Sequence, residues 1–267
     1  MLETGVCLLS LSSIPSLPPP KMFLTFSILP RNGSKKFKTN PKNIDKILFI
    51  FLSIFMQIYT NENFRVDISE TEIMVVNCSD LEIDSGALYG FFSFSAGMIW
   101  TESSKWLSVD SGAYFSLSGK SRVICQKPYT KNFFICVKNE KPFFHLGFLE
   151  EGEGRLKYID GCTDSLLISP VRRGMPCLNH LHFPKHTEQT FHTHPSYRAG
   201  IVAYGSGVAE TDKGEILLAP GMSWYIPANE RHRFKTDGCE LGVVAYHPDS
   251  DFGPVDENHP MINRTII

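Results

Sequence analysis

The sequence has no Cys-x-x-Cys pair, no Gly-rich phosphate-cradling loop and no Gly-x-Ser-x-Gly elbow. Those absences remove zinc–cysteine clusters, nucleotide-dependent chemistry and serine hydrolysis. Charge is also scarce in net terms, −2 with a pI near 6.5, which gives no argument for nucleic acid or an anionic membrane. Nowhere does an apolar run reach the ~20 residues of a membrane span. The longest, ILFIFLSIFMQIY at residues 47–59, has the length of a signal-peptide core instead. The seven cysteines are scattered and odd in number, which reads as buried reduced thiols and not as a disulfide framework. No helical 3.6-residue stripe of useful length is present. Finally, none of the nine histidines falls between residues 60 and 144.

What is present divides the chain unevenly. Residues 1–60 hold seven basic side chains against Glu3 and Asp45, about +5, which leaves about −7 for the remainder. Ser/Pro-rich residues 12–20 and Lys/Asn-rich residues 31–46 lack the apolar content to fold alone. Residues 1–60 are therefore expected to be a basic, low-complexity or signal-like extension outside the fold. The location this favours is the cytoplasm, with secretion through residues 47–59 left open. From Phe64 onward, short apolar or β-branched runs alternate with turn residues such as Ser111-Gly112 and Gly119-Lys120, which predicts an all-β protein.

The densest pattern lies at residues 191–234. His192-Thr193-His194 opens it, a Gly-Ser-Gly turn follows at residues 205–207, and Gly221, Pro227, Asn229 and His232 close it. On a strand, imidazoles at i and i+2 share a face, so a third on a later strand could complete one side of a metal's coordination sphere. Imidazole suits zinc, iron, nickel and copper, so spacing alone names no metal. His180 and His182 form a second His-x-His upstream, and Tyr197, Tyr204, Trp224, Tyr225 and Tyr246 supply aromatic surface. Alternation lets only one of Trp224 and Tyr225 look into a barrel. His186 and Glu188 read as turn residues, and no chemistry is assigned to His247 or His259, the latter in a polar tail expected to form a surface arm.

This pattern resembles the cupin superfamily, whose first motif carries His-x-His, a Glu and a glycine turn, and whose second runs Gly, five residues, Pro-x-Gly, two residues, His. His192 and His194 fall on the first motif; Gly221, Pro227 and His232 fall on the second. Asn229 stands where the second glycine usually sits and tolerates left-handed backbone. The carboxylate is missing, because Arg198, Ala199 or Gly200 occupies its position. The resemblance covers about the last hundred residues and implies a three-histidine site at His192, His194 and His232. Residues 112–123 can also be laid on 221–232 without a gap, Gly112 on Gly221 and Val123 on His232. The expectation is an all-β fold of double-stranded β-helix, or jelly-roll, cupin barrels, two in tandem. A degenerate cupin-like domain at 64–144 would lack metal ligands, and 145–267 would carry the metal motif and an arm.

The function this implies is that of a metal-binding cupin, a non-haem metal-dependent, dioxygenase-like enzyme acting on a small anionic or chelating organic molecule. Two alternatives stay open: a non-catalytic small-molecule binding or sensor cupin, and a metal-dependent isomerase or lyase. Fe(II) is favoured as cofactor, with Zn, Ni, Mn or Cu as alternatives. Arg198 is the candidate carboxylate anchor through its planar bidentate donors. His182, Tyr204 and Tyr225 are expected to contact substrate. A small-molecule ligand is the expected partner, with no nucleic acid and no stable membrane span; a homodimer is left open.

Overall fold

The computed structural model describes residues 56–59, 64–125, 131–255 and 257, all within one compact unit, residues 51–267. The Ser/Pro-rich and Lys/Asn-rich stretches, most of residues 47–59, and His259 with most of its tail lie outside the described residues. Among the described residues the regular elements are twenty strands and one short 3-10 turn. No helix among the described residues is long and apolar enough to cross a membrane.

A short strand β1 (Gln57–Tyr59) comes first. The first barrel then comprises β2 (Phe64–Asp67), β3 (Glu72–Val76), β4 (Asp80–Ile83), β5 (Ala87–Phe92), β6 (Gly97–Thr101), β7 (Leu107–Val109), β8 (Ala113–Ser118), β9 (Ser121–Cys125) and β10 (Asn132–Val137). After β11 (His145–Phe148) and β12 (Leu156–Lys157), the second comprises β13 (Thr163–Ile168), β14 (Cys177–Phe183), β15 (Arg198–Gly205), β16 (Gly207–Thr211), β17 (Gly214–Leu218), β18 (Ser223–Ile226), β19 (His232–Lys235) and β20 (Leu241–His247).

The repeat expected from the sequence is visible in the strand order. One large sheet runs β2-β3-β10-β5-β8-β11 and the other runs β13-β14-β20-β15-β18-β1, with β12 beyond β13. The two small sheets, β4-β9-β6-β7 and β17-β16-β19, correspond in the same way. Gly112 and Gly221, matched in the sequence, have φ of +85° and +81°, so each turn needs a residue free of Cβ strain. The two outer strands cross over the expected domain boundaries. β1, placed outside the fold at residues 1–60, pairs with β18, and β11, assigned with residues 145–267, pairs with β8 of the first barrel. Backbone groups on an open sheet edge find partners wherever a free edge lies, and sequence order does not limit the choice.

Alternation sorts the side chains into three apolar layers. Leu88, Phe92, Phe115 and Phe134 meet Ile99, Val109 and Val123 and fill the first barrel. Trp224, Ile226, Val243 and Ala245 meet Ala209, Leu218 and Phe234 inside the second. Between the two large sheets lies a third layer, in which Met74, Tyr89, Phe91 and Ile135 pack on Leu178, Ile201, Tyr225 and Tyr246. The large sheets are thus covered on both faces, which is why β5 and β14 are buried at every position. Full burial of a side chain such as Phe91 or Ile201 contributes about 1.5–3 kcal/mol, so this middle layer holds the barrels together.

Candidate metal centre

His232 opens β19, whereas His192 and His194 lie in an extended stretch that is not a regular strand. The His-x-His spacing suggests a strand, but only His192 makes a ladder contact, an isolated bridge to His232. Pro195 follows at once, and a residue without an N–H cannot extend the pairing. That one bridge is sufficient. His192 and His232 exchange both backbone hydrogen bonds at 3.0 Å, which sets their rings 4.6 Å apart between centroids. The second motif reaches the first through Asn229, whose N–H donates to the His194 carbonyl at 2.7 Å. Asn229 has φ +62°, the left-handed conformation its alignment with glycine predicts.

One ring nitrogen from each of the three imidazoles lies within 4.8 Å of the others. His192 Nδ1 donates to the Thr190 carbonyl at 2.9 Å and His232 Nδ1 to the Glu230 carbonyl at 2.8 Å. A carbonyl only accepts, so each Nδ1 carries a proton and Nε2 is the nitrogen left to face a metal. Burial, followed by the charge of Arg198 and the neighbouring imidazoles, pushes His194 down to about 3. His232 is pushed down to about 4, also chiefly by burial, against the opposing pull of the Glu230 carbonyl. Both are therefore neutral at physiological pH, the form in which imidazole binds metal.

Around the triad, Leu181, Phe183, Trp224, Ile226, Phe234 and Ala245 give apolar wall, and Tyr158, Gln189, Arg198 and His247 give polar groups. The part-open cavity they line has about 20 Å³ of free space, room for one water.

Residues 179–247 match the Cupin domain family. The carboxy-terminal barrel is a cupin domain. The fold of the described chain is similar to that of a cupin 2 conserved barrel domain protein from Leptotrichia buccalis, at 14% identity, covering 72% of this chain and 89% of that one with a TM-score of 0.53. It is also similar to a single-site mutant of salicylate 1,2-dioxygenase from Pseudoaminobacter salicylatoxidans, at 7% identity, covering 80% and 95% with a TM-score of 0.54. A different single-site mutant of that enzyme, in complex with gentisate, matches at 8% identity, covering 80% and 92%, also with a TM-score of 0.54. No curated protein matches the sequence significantly.

Within the cupin barrel, β15 turns Arg198, Gly200 and Val202 inward, while Ala199 and Ile201 join the layer between the sheets. Of the three positions considered for the missing carboxylate, Ala199 is thus directed away from the histidines. Gly200 faces inward but has no room, because a Cβ there would lie 2.6 Å from the Trp224 ring and 2.3 Å from the Val244 carbonyl. Arg198 lines the cavity with the triad, its side chain only 13% exposed. Its Nη1 donates to Ser196 Oγ at 2.6 Å and to the Tyr197 carbonyl at 2.9 Å, with Asp249 at 3.7 Å. Its Nε is buried with no hydrogen-bond partner.

Three expected substrate contacts lie elsewhere. Tyr225 joins the layer between the sheets, its ring tilted against Tyr197 at 5.5 Å, and it is Trp224 that looks into the barrel. His182 shares the outward face of β14 with His180 and binds Glu240 at 3.1 Å. Tyr204 would face inward with Arg198 and Val202 by strict alternation. A β-bulge between Val202 and Tyr204 adds one residue and reverses its direction. Its hydroxyl instead donates to the Gly152 carbonyl at 2.6 Å and accepts from His180 Nε2 at 2.9 Å. His186 is a turn residue at φ +60°, as expected, and Glu188 bridges to Lys235.

His247 is the cavity residue to which the sequence assigns no chemistry. It lies two positions after Ala245 on β20, so alternation carries it into the cavity. Burial, with Arg198 and His194 beside it, holds it neutral, well below the ordinary imidazole value. Its inward direction was readable from the apolar run 241–246 that precedes it.

Proposed function

We propose that this cupin is a metal-dependent, dioxygenase-like enzyme acting on a small anionic or chelating organic molecule. The observation that carries the reading is the convergence of three imidazoles with Arg198 in one apolar cavity. His192, His194 and His232 would hold the ion, and an all-imidazole set fits iron, zinc, nickel or copper better than manganese. Among these Fe(II) is our choice. A bound divalent ion supplies Lewis acidity and open positions for a chelating ligand and dioxygen.

The chain's own residues account for the ligand class. Three neutral ligands leave the ion's charge uncompensated, and Arg198 adds to it, so the cavity favours an anion. With Nη1 pinned to Ser196 and Tyr197, the free side of the guanidinium is the Nε–Nη2 edge, which matches the two oxygens of a carboxylate. The Trp224 indole N–H is likewise buried without an acceptor. The surrounding Phe183, Ile226 and Phe234 exclude water and strengthen each of these interactions. Cys136, Cys162 and Cys177 are reduced thiols, which suits a cytoplasmic setting. The first barrel, filled with side chains and with Val123 at the position of His232, serves as a scaffold.

A non-catalytic binding role, in which the same histidines and Arg198 hold a ligand without turnover, is the second reading. One experiment separates the readings: metal analysis of the purified protein, then oxygen uptake by the iron-loaded form with salicylate, gentisate and small 2-oxo acids. Metal binding with uptake on one of these supports the enzyme. Metal-dependent ligand binding without uptake in any case supports the sensor, and metal-free protein from metal-replete cells refutes both.

A further inference from the structure

The free space beside the triad is about 20 Å³ and part-open to solvent, so seating a carboxylate deep against Arg198 needs one wall to move. Most of that wall is built on hydrogen-bonded strands: Leu181 and Phe183 on β14, Trp224 and Ile226 on β18, Phe234 on β19 and Ala245 on β20. Tyr158 is different. It sits between the two-residue β12 and β13, at the start of the short turn Ile159–Gly161. In that turn Asp160 and Gly161 both take left-handed backbone, φ +54° and +79°, and both are exposed. Inside it only two hydrogen bonds are made, Tyr158 N–H to the Cys162 carbonyl at 2.8 Å and Cys162 N–H to the Ile159 carbonyl at 3.0 Å.

Two side chains fasten the turn to the metal-motif loop: Cys162, whose Sγ accepts from Gln189 Nε2 at 3.6 Å, and Asp160. Asp160 Oδ2 accepts from the Thr190 N–H at 2.6 Å and its Oδ1 from the Thr190 hydroxyl at 3.2 Å. The carbonyl of the same Thr190 accepts from His192 Nδ1 and so fixes the tautomer and orientation of that ring. Thr190 therefore connects this turn directly to one of the three imidazoles.

We infer that the turn at residues 158–162 is the way into the cavity, and that Asp160 is a positioning residue that both closes the turn and orients His192 through Thr190. The orienting half rests on the metal reading above; the closing half does not.

Trp224 supplies a reporter, since it is buried and lines the cavity. The other two tryptophans, Trp100 and Trp106, lie together in the first barrel and can be replaced by phenylalanine. In that background, acrylamide quenching of Trp224 fluorescence is expected to rise severalfold with Asp160→Ala. Asp160→Asn, which keeps one acceptor for the Thr190 N–H, should fall between, and it remains usable if the alanine variant does not fold. Titration with Co(II) should then show affinity reduced about tenfold or more in Asp160→Ala, the usual effect of losing a group that orients a ligand. Tyr158→Ala, which removes the wall but keeps the latch, should raise the quenching and leave Co(II) affinity unchanged. Unaltered quenching in folded Asp160→Ala and Asp160→Asn overturns the entrance. Raised quenching with unaltered Co(II) affinity overturns the positioning role. If the wild type binds no Co(II) while the quenching changes as expected, the metal reading fails and the entrance stands.

Discussion

Replacing Arg198 tests the anion reading most directly, because the structure separates what the residue does for the fold from what it offers a ligand. Nη1 holds Ser196 Oγ and the Tyr197 carbonyl, while Nε has no partner. Arg198→Ala thus removes hydrogen bonds from a charged donor, which on their own contribute about 1.5–3 kcal/mol each. Some loss of stability is expected from this alone. For a carboxylate ligand, truncating one member of a buried, hydrogen-bonded charge pair costs about 2–5 kcal/mol. At about 1.4 kcal/mol per decade, that is a loss of affinity of about 30-fold or more. Arg198→Lys keeps the charge but presents a point donor in place of a planar edge, so it should recover part of the affinity and none of the two-oxygen selectivity. Asp249→Asn removes a neighbouring negative charge on the far side of the guanidinium and should bind an anion at least as tightly as the wild type. Isothermal titration with oxalate, on metal-free and metal-loaded protein, reads all four. If Arg198→Ala binds oxalate within twofold of the wild type in both forms, Arg198 is a structural residue and the anionic-ligand reading loses its side-chain basis.

Three further outcomes follow from the same geometry. A divalent ion present at a hundred times its Kd should add about 2.7 kcal/mol to stability, about 5–11 °C in Tm for a domain pair of this size. Chelator should abolish that gain, and His232→Ala should never show it; a differential scanning fluorimetry series settles the matter. Stability of the metal-free protein should fall on acidification. Burial pushes His180 down to about 4, below its unfolded value, so the unfolded chain binds the extra proton from about pH 6.5 down to 4. The stability it provides is complete above that window and lost through it, about 3 kcal/mol at most, and His180→Gln should flatten the slope in urea unfolding across that range. Gly200→Ala should destabilise by about 1–3 kcal/mol through overpacking against Trp224 and the Val244 carbonyl, with a Tm unchanged from wild type refuting the crowding.

The sequence carried the strand texture, the two-barrel repeat and the three histidines because each rests on local spacing. Gly112 and Gly221 mark the same turn, Asn229 announces left-handed backbone, and His192, His194 and His232 keep their motif positions. What was not legible depends on register and on distant pairing. Tyr204 was misdirected by one inserted residue at a β-bulge, which no period-two count anticipates. His182 shares its face with Leu178, and whether that face looks into the barrel or out of it is decided by the second barrel packed behind it. The edge strands β1 and β11 join sheets far from their neighbours in sequence, and loop-closure entropy rises only slowly with the distance spanned.

The two barrels differ in how they use the same interior. In the first, Phe92, Phe115 and Phe134 pack with ring centroids 5.5–6.1 Å apart and leave no place for a ligand, and Val123 lies among them. In the second, space remains beside the small Ala245, and it is lined by imidazoles that would otherwise be a liability. Burying the His232 imidazole and an arginine with an unpartnered Nε costs stability unless something binds there. The filled barrel offsets that cost through the shared apolar layer, where Tyr89 and Phe91 press on Tyr246 and Ile201. Weakening that layer, and not the site itself, should therefore be the change that lowers stability most while leaving the histidine geometry intact in the molecules that remain folded.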